Sequence, residues 1–156
     1  MKILEPLFKK VIMQLLDSNV EFLLIGGYAV NYYGYGRYTG DIDFWIKPDN
    51  ENKLLLLNAF VELGRNKEDI YKMSKLDFNK PQIIFMGEPP LRVDFLTRVN
   101  LLDFDEAWSK RKLWDLDAYK VPIVDYEDLI LTKMTTGRPK DKLDVEELQK
   151  INQKKK

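Results

Sequence analysis

Residues 41–46, DIDFWI, constrain the fold more than any other stretch, because acidic and apolar side chains alternate along them. Successive side chains of a β-strand point to opposite faces, so the pattern predicts a strand with Asp41, Asp43 and Trp45 on one face and apolar residues on the other. The two aspartate Cα atoms would lie about 6–7 Å apart. Two like charges on one face of a core strand repel each other, and a bound metal ion would relieve that repulsion.

Two glycines precede this strand by thirteen residues. The segment EFLLIGG at 21–27 predicts a short buried strand that ends at Gly26 and Gly27, followed by a helix of two turns before Gly34. Such a corner leaves backbone N–H groups open to a phosphate, and it also occurs as ordinary turn chemistry. A phosphate site and a plain turn are therefore both compatible with the pattern.

A third carboxylate is expected on a later strand, LRVDFLTRV at 91–99. Alternation places Asp94 on the polar face of this otherwise apolar strand. Three carboxylates on two neighbouring strands would form a site for hard cations, with space for two Mg²⁺ ions about 3.5–4 Å apart. The alternative interpretation of Asp94 is an ion pair with Arg92 or Arg98.

Composition limits the chemistry that is available. The 156 residues contain no cysteine and no histidine, which excludes disulfides, thiolate zinc sites, cysteine nucleophiles and serine–histidine–aspartate triads. Twenty-five basic residues balance twenty-five acidic ones, so no overall positive charge favours nucleic-acid binding. Any catalysis must use carboxylates, lysine, arginine, hydroxyls or a hard metal ion.

The order of predicted elements indicates one α/β (α+β) domain, a small mixed sheet flanked by helices, over residues 1–150 with a basic tail at 151–156. A single domain suits this length. Helices are predicted at 3–16, 28–34, 50–63, 125–136 and 140–153, and strands at 21–27, 41–46, 81–87, 91–99 and 119–124, the last at a sheet edge because of Pro122.

The amino-terminal stretch MKILEPLFKKVIMQLL carries charges among its apolar residues and lacks a small-residue cleavage site, so no secretory signal is expected. No apolar run approaches the length that crosses a bilayer. We therefore expect a cytoplasmic protein without a membrane partner.

Together these motifs resemble the nucleotidyltransferase superfamily with a DNA polymerase β-type catalytic core. Its hallmarks, h-G-[GS], D-h-D and a later acidic residue, match Ile25-Gly26-Gly27, Asp41-Ile42-Asp43 and Asp94. With DLILTKMTTGRPKDKLDVEEL at 128–148, the sequence looks like a small bacterial branch related to AbiEii-type toxins. The resemblance covers roughly residues 20–150 and implies a nucleotidyltransferase fold.

The resemblance also implies roles for individual residues. Asp41, Asp43 and Asp94 would be catalytic and would bind Mg²⁺ or Mn²⁺, with two ions expected and a nucleoside triphosphate (NTP) as substrate. Lys133 also fits a helix end capped by Gly137, and Arg37 also fits a plain surface position. The residues expected to bind the nucleotide are Gly26, Gly27, Arg37, Lys133 and Asp141.

The expected reaction is metal-dependent transfer of a nucleoside monophosphate to an acceptor hydroxyl, with release of pyrophosphate. The sequence leaves the acceptor open among tRNA or other RNA, a protein and a small molecule such as an antibiotic. A role in a toxin–antitoxin pair, with an antitoxin partner or a homo-oligomer, is compatible with the resemblance. The alternative from another class is a nucleotide-binding or antitoxin-like module without turnover.

Overall fold

Thirteen helices and strands follow one another in the computed structural model, which describes residues 4–155. Residues 1–3 and 156, which the predicted domain, first helix and tail include, lie outside the described residues. The elements are α1 (Pro6–Asp17), β1 (Phe22–Ile25), α2 (Gly26–Tyr32), β2 (Asp41–Ile46), α3 (Asn50–Glu62), α4 (Lys67–Ser74), β3 (Ile83–Glu88), β4 (Leu91–Leu96), α5 (Phe104–Ser109), β5 (Lys112–Leu116), β6 (Tyr119–Ile123), α6 (Tyr126–Met134) and α7 (Pro139–Lys154).

The six strands form one mixed sheet in the order β3-β4-β2-β1-β6-β5. Strand β2 lies at the centre, antiparallel to β1 and parallel to β4. Asp43 of β2 is therefore in register with Ile25 on one side and with Asp94 on the other. The predicted α+β fold with a small mixed sheet flanked by helices is confirmed.

The apolar face of the central strands forms the core. Phe44 of β2 stacks on Phe95 of β4 with ring centroids 5.7 Å apart, and Phe60 of α3 meets Phe95 edge to face at 5.0 Å. Phe22 of β1 contacts Phe44 in the same edge-to-face manner at 5.3 Å. Because adjacent residues of a strand face opposite ways, burying Phe44 and Phe95 turns Asp43 and Asp94 to the other face of the sheet.

Three elements were not predicted: α4, α5 and β5. Helix α4 buries Met73 alone, and β5 buries no residue fully, so neither carries the apolar periodicity on which the sequence interpretation relied. Strand β5 covers the edge that β6 was expected to form, and Leu113 of β5 lies in register with Pro122. The edge prediction for the Pro122 strand is therefore wrong.

The predicted boundary between domain and tail at residue 150 falls inside α7, which continues to Lys154. Residues 151–154 are helical, with 151 and 152 half-buried, because Ile151 packs near Gly34. Among the described residues, no helix combines the length and the apolar character needed to cross a membrane.

Replacing Phe95 with alanine should lower the free energy of unfolding by about 3–5 kcal/mol, because two other rings pack on this fully buried ring. Phe85→Ala is the matched control, since Phe85 is 51% exposed and its loss should cost about 1 kcal/mol. Chemical denaturation measures both values. Equal losses in the two variants would contradict this description of the core.

Candidate active site

A cavity of about 590 Å³ opens on the polar face of the sheet, bounded by the start of α2, strands β2 and β4, and the segment that joins α6 to α7. All eight site residues that the sequence predicted line it. The charged residues of the lining are Arg37, Asp41, Asp43, Arg92, Asp94, Arg98, Lys133, Arg138, Lys140 and Asp141.

The three predicted carboxylates lie on the strands that form the cavity floor. Asp43 and Asp94 are directly opposite each other on the parallel strands β2 and β4, and Asp41 is opposite Arg92. Asp94 is buried, whereas Asp41 and Asp43 are half-buried. The sheet register therefore brings together two carboxylates that are far apart in sequence.

The glycine pair makes space for this arrangement. Gly26 has φ +70°, and a Cβ there would collide with Oδ2 of Asp43. A Cβ at Gly27 would lie 2.6 Å from the side chain of Thr39 and 3.2 Å from Nη1 of Arg37. Side chains are excluded at both positions, because the corner lies directly against the residues of the cavity.

Arg92 bridges two of the carboxylates. Its Nε donates to Oδ1 of Asp94 at 2.8 Å, and its Nη2 donates to Oδ2 of Asp94 at 3.1 Å. The same Nη2 lies 3.5 Å from Oδ2 of Asp41. The ion pair with Arg92, which was the alternative interpretation of Asp94, is therefore present in the structure.

Asp43 is the carboxyl whose protonation is most perturbed. Burial, then the charge and hydrogen bonding of Asp94 and the charge of Asp41, raise the pKa of Asp43 from 3.8 to about 7, and Lys133 acts in the opposite direction. An ionised Asp43 is thus disfavoured by its own neighbours. A cation near this position would offset that repulsion.

A second charged group connects the loop before β2 to α7. Arg37 donates from Nε and Nη2 to the two carboxylate oxygens of Asp144, at 2.6 and 2.9 Å. Lys133 of α6 lies 3.1 Å from the same carboxylate, which is 0% exposed. The partners of Asp144 are therefore Arg37, which precedes β2, and Lys133 of α6.

Asp141 completes this group at the first turn of α7. It accepts from Lys133 at 3.0 Å, from Oγ1 of Thr136 at 2.6 Å and from Nε of Arg138 at 2.7 Å. Burial raises the pKa of Asp141, but these hydrogen bonds outweigh it and lower the pKa from 3.8 to about 2. Asp141 and Lys133 thus form a buried ion pair in the cavity wall.

The structure brings all the predicted residues to one cavity, yet their side chains are mainly paired with one another. Within residues 4–155, no group of three or more acidic, histidine or cysteine side chains encloses a position for a metal ion. The sequence interpretation missed three contacts: Thr39 accepts from Arg37, Thr136 donates to Asp141, and Asp144 pairs with Arg37, which is 107 residues away. The spacing of Arg92 and Asp94, two residues apart and so on the same face of β4, was the signal in the sequence for their ion pair.

Comparison with protein families gives one match over nearly the whole chain. Residues 6–156 match the profile of a family described as "Nucleotidyl transferase of unknown function (DUF2204)". Among curated proteins, no sequence matches this chain.

Two solved structures share the fold. A lincosamide antibiotic adenylyltransferase, LnuA, in its lincomycin-bound crystal structure, superposes with a TM-score of 0.56 at 15% identity, covering 97% of this chain and 99% of that one. A Thermotoga maritima protein predicted to be a nucleotidyltransferase superposes with a TM-score of 0.58 at 14% identity, covering 90% of this chain and 89% of that one. At these identities the likeness shows a common fold.

Replacing Asp43 with asparagine should stabilise the protein at pH 8 when divalent cations are absent. The folded state holds a proton on Asp43 up to about pH 7, whereas the unfolded chain releases it near pH 3.8, so wild-type stability falls as pH rises between these values. The variant should gain about 1–3 kcal/mol at pH 8 and nearly nothing at pH 4. Urea denaturation at both pH values in EDTA measures this difference.

Asp144→Asn is the control for this comparison. The pKa of Asp144 is lowered, because hydrogen bonds from Arg37 and Lys133 outweigh its burial, so its ionised form stabilises the fold above its ordinary pKa. This variant should be less stable than the wild type at pH 8. A loss of stability at pH 8 in Asp43→Asn as well would contradict the charge repulsion described for Asp43.

Proposed function

Since the chain belongs to this family of nucleotidyl transferases, we propose that it transfers a nucleoside monophosphate from an NTP to an acceptor hydroxyl and releases pyrophosphate. The match confirms the superfamily that the motifs predicted, and the finer likeness to AbiEii-type toxins stays a prediction. The reaction is proposed to take place in the cavity that is lined by the carboxylates and glycines described above.

One observation carries the proposal: Asp43 and Asp94 are side by side on parallel strands, on the floor of a cavity that Gly26 and Gly27 also border. An acidic pair of this kind destabilises the fold unless a cation or a proton is present. Its placement beside a glycine corner and a row of basic residues suits a substrate that carries both phosphates and bound cations.

The side chains of Asp41, Asp43 and Asp94 supply the carboxylate oxygens that Mg²⁺ and Mn²⁺ prefer, and Asp43 is in register with Asp94 on the neighbouring strand. We propose that these residues hold the divalent ions of the reaction, two of them in the complete complex. When bound, such ions would offset the negative charge of the NTP and of the departing pyrophosphate.

Asp94 is proposed as the proton acceptor. The acceptor hydroxyl oxygen forms a bond to the α-phosphorus, the bond from that phosphorus to the β-phosphate oxygen breaks, and the hydroxyl proton passes to Asp94. Asp94 suits this role because it is the most buried of the three carboxylates and lies at the floor of the cavity. Asp41 and Asp43 would chiefly bind metal.

The nucleotide is proposed to lie across the cavity from the carboxylates, between the glycine corner and the segment that joins α6 to α7. Arg138 has a side chain that is 71% exposed, so it can turn towards a triphosphate. Arg37 and Lys133 are bound to buried carboxylates, so they would contribute positive charge at a fixed position. The proposed nucleotide-binding residues are those predicted from the sequence: Gly26, Gly27, Arg37, Lys133 and Asp141.

A small-molecule acceptor is the candidate that one comparison favours, because LnuA, a lincosamide adenylyltransferase, matches along almost its entire length. The zero net charge of this chain gives no support to a long RNA acceptor. A protein acceptor within a cytoplasmic toxin–antitoxin pair rests on the resemblance to AbiEii-type proteins alone. These acceptors can be separated by experiment.

Incubation of the protein with each α-labelled NTP and Mg²⁺ in cell extract should label one acceptor class, which size separation and nuclease or protease digestion then identify. Asp94→Asn should abolish the labelling, whereas Asp105→Asn should preserve it, because Asp105 belongs to an exposed D-x-D pair at the start of α5. Absence of labelled acceptor and of pyrophosphate release with all four NTPs would favour the non-catalytic alternative.

The roles of the carboxylates can be separated by comparing NTP affinity with single-turnover transfer. Asp94→Asn should reduce transfer by about 100-fold or more, the usual contribution of a general base, while NTP affinity changes little. Asp43→Asn should weaken both, because Asp43 is proposed to bind the nucleotide-associated metal ion. Full transfer by Asp94→Asn would overturn the proposed proton acceptor, and unchanged NTP affinity in Asp43→Asn would place the nucleotide elsewhere.

A further inference from the structure

Arg92 is a residue of the cavity to which the reaction described above gives no role. It projects from β4 on the same face as Asp94, two residues away, and both of its bonds to Asp94 have the parallel geometry of a bidentate arginine–carboxylate pair. Both carboxylate oxygens of Asp94 are therefore engaged. Each oxygen of Asp94 accepts one hydrogen bond from the guanidinium, so the carboxylate is less available to a metal ion or a proton.

The guanidinium also lies between carboxylates, as a metal ion would. It contacts Asp94 on one side, and its Nη2 is 3.5 Å from Asp41 on the other. Arg92 thus places its positive charge beside oxygens of Asp94 and Asp41, to which the proposed function assigns divalent ions. Arg92 and a divalent ion thus compete for the same oxygens.

A third contact holds the guanidinium from the edge of the sheet. The Cζ atom of Arg92 lies 4.8 Å from the centre of the Phe85 ring, and Phe85 is directly opposite Asp94 on the antiparallel strand β3. This aromatic face binds the cation without using a carboxylate oxygen. The arginine can therefore leave Asp94 and keep a favourable contact with Phe85.

We propose that Arg92 gates the metal site: it neutralises Asp94 and Asp41 in the metal-free protein and must release Asp94 before a divalent cation binds there. This inference rests on the proposed function, because it concerns the regulation of the same site. In the metal-free protein, the charge of Arg92 offsets the negative charge of the cluster of three acids. Because a divalent ion must displace Arg92, the arginine sets the metal concentration at which Asp94 binds the ion.

Direct binding of Mn²⁺, measured by electron paramagnetic resonance of the free ion without nucleotide, tests the gate independently of activity. Arg92→Gln should bind Mn²⁺ about tenfold more tightly than the wild type, because the competing cation is gone. Arg98→Gln is the matched control, because Arg98 is an exposed arginine that lines the same cavity. Its removal reports the general effect of one lost positive charge.

Arg92→Lys distinguishes the effect of the bidentate hydrogen bonds from the effect of the positive charge, since lysine keeps the charge but cannot donate two parallel bonds. Its Mn²⁺ affinity should lie between those of the wild type and Arg92→Gln. The Mn²⁺-induced rise in melting temperature should follow the same order, and the circular dichroism spectrum of each variant shows that it is folded.

An Arg92→Gln affinity equal to or weaker than that of Arg98→Gln overturns the gate and leaves the proposed function standing. Failure of the wild type and of every variant to bind Mn²⁺ overturns the proposed metal site itself, and the gate with it. Affinity that rises tenfold in Arg92→Gln and no more than threefold in Arg98→Gln supports the gate.

Discussion

The contact between Asp43 and Asp94 across two parallel strands is the constraint on which the rest of the site depends. The register of β2 and β4 places these carboxylates side by side, and the rings of Phe44 and Phe95, which stack on the other face, hold that register. The pKa of Asp43 is raised as a result, because burial and the neighbouring negative charges oppose its ionisation. A fold that maintains such repulsion in its core sheet needs cations close by.

The protein supplies these cations in two separate groups. Arg92 neutralises the strand carboxylates from β4, and Arg37 and Lys133 neutralise Asp144 at the base of the cavity wall. The second group also has a structural consequence, since it joins the loop before β2 to α6 and α7 through buried ion pairs. Removing one partner of such a pair leaves a buried charge unpaired, which typically costs about 3–5 kcal/mol. Buried ion pairs thus hold Arg37 and Lys133, whereas the side chain of Arg138 is 71% exposed.

This combination of buried, paired charges with an exposed arginine suits the proposed transfer reaction. The carboxylate of Asp94, the proposed proton acceptor, must be preorganised, because a base contributes only when it lies within hydrogen-bond reach of the reacting hydroxyl. A triphosphate carries several negative charges, so the site needs positive charge that can adapt to it. In the proposed reaction the sheet and the glycine corner provide the fixed geometry, and the exposed Arg138 provides the adaptable charge.

Much of the fold could be predicted from local sequence patterns. The site could be predicted only in part, because some of its contacts join residues that are far apart in the sequence. The alternation in 41–46 and 91–96 is sufficient to place the aspartates on one face, because a strand has a period of two. Helix α4 could have been found from its polar cap, since Asn66 accepts from the amide of Asp69, but apolar periodicity gave no signal there. The Arg37–Asp144 pair joins residues 107 apart in sequence, and no local rule relates them.

Anomalous diffraction from crystals grown with Mn²⁺ and a non-hydrolysable NTP analogue tests the central claim most directly, that the three carboxylates act as one metal site. If they do, Mn²⁺ peaks should lie between the carboxylates of Asp43 and Asp94, within about 2.0–2.6 Å of their oxygens, with the triphosphate beside Gly26. A Mn²⁺ peak and a triphosphate bound away from Asp43 and Asp94 would contradict it.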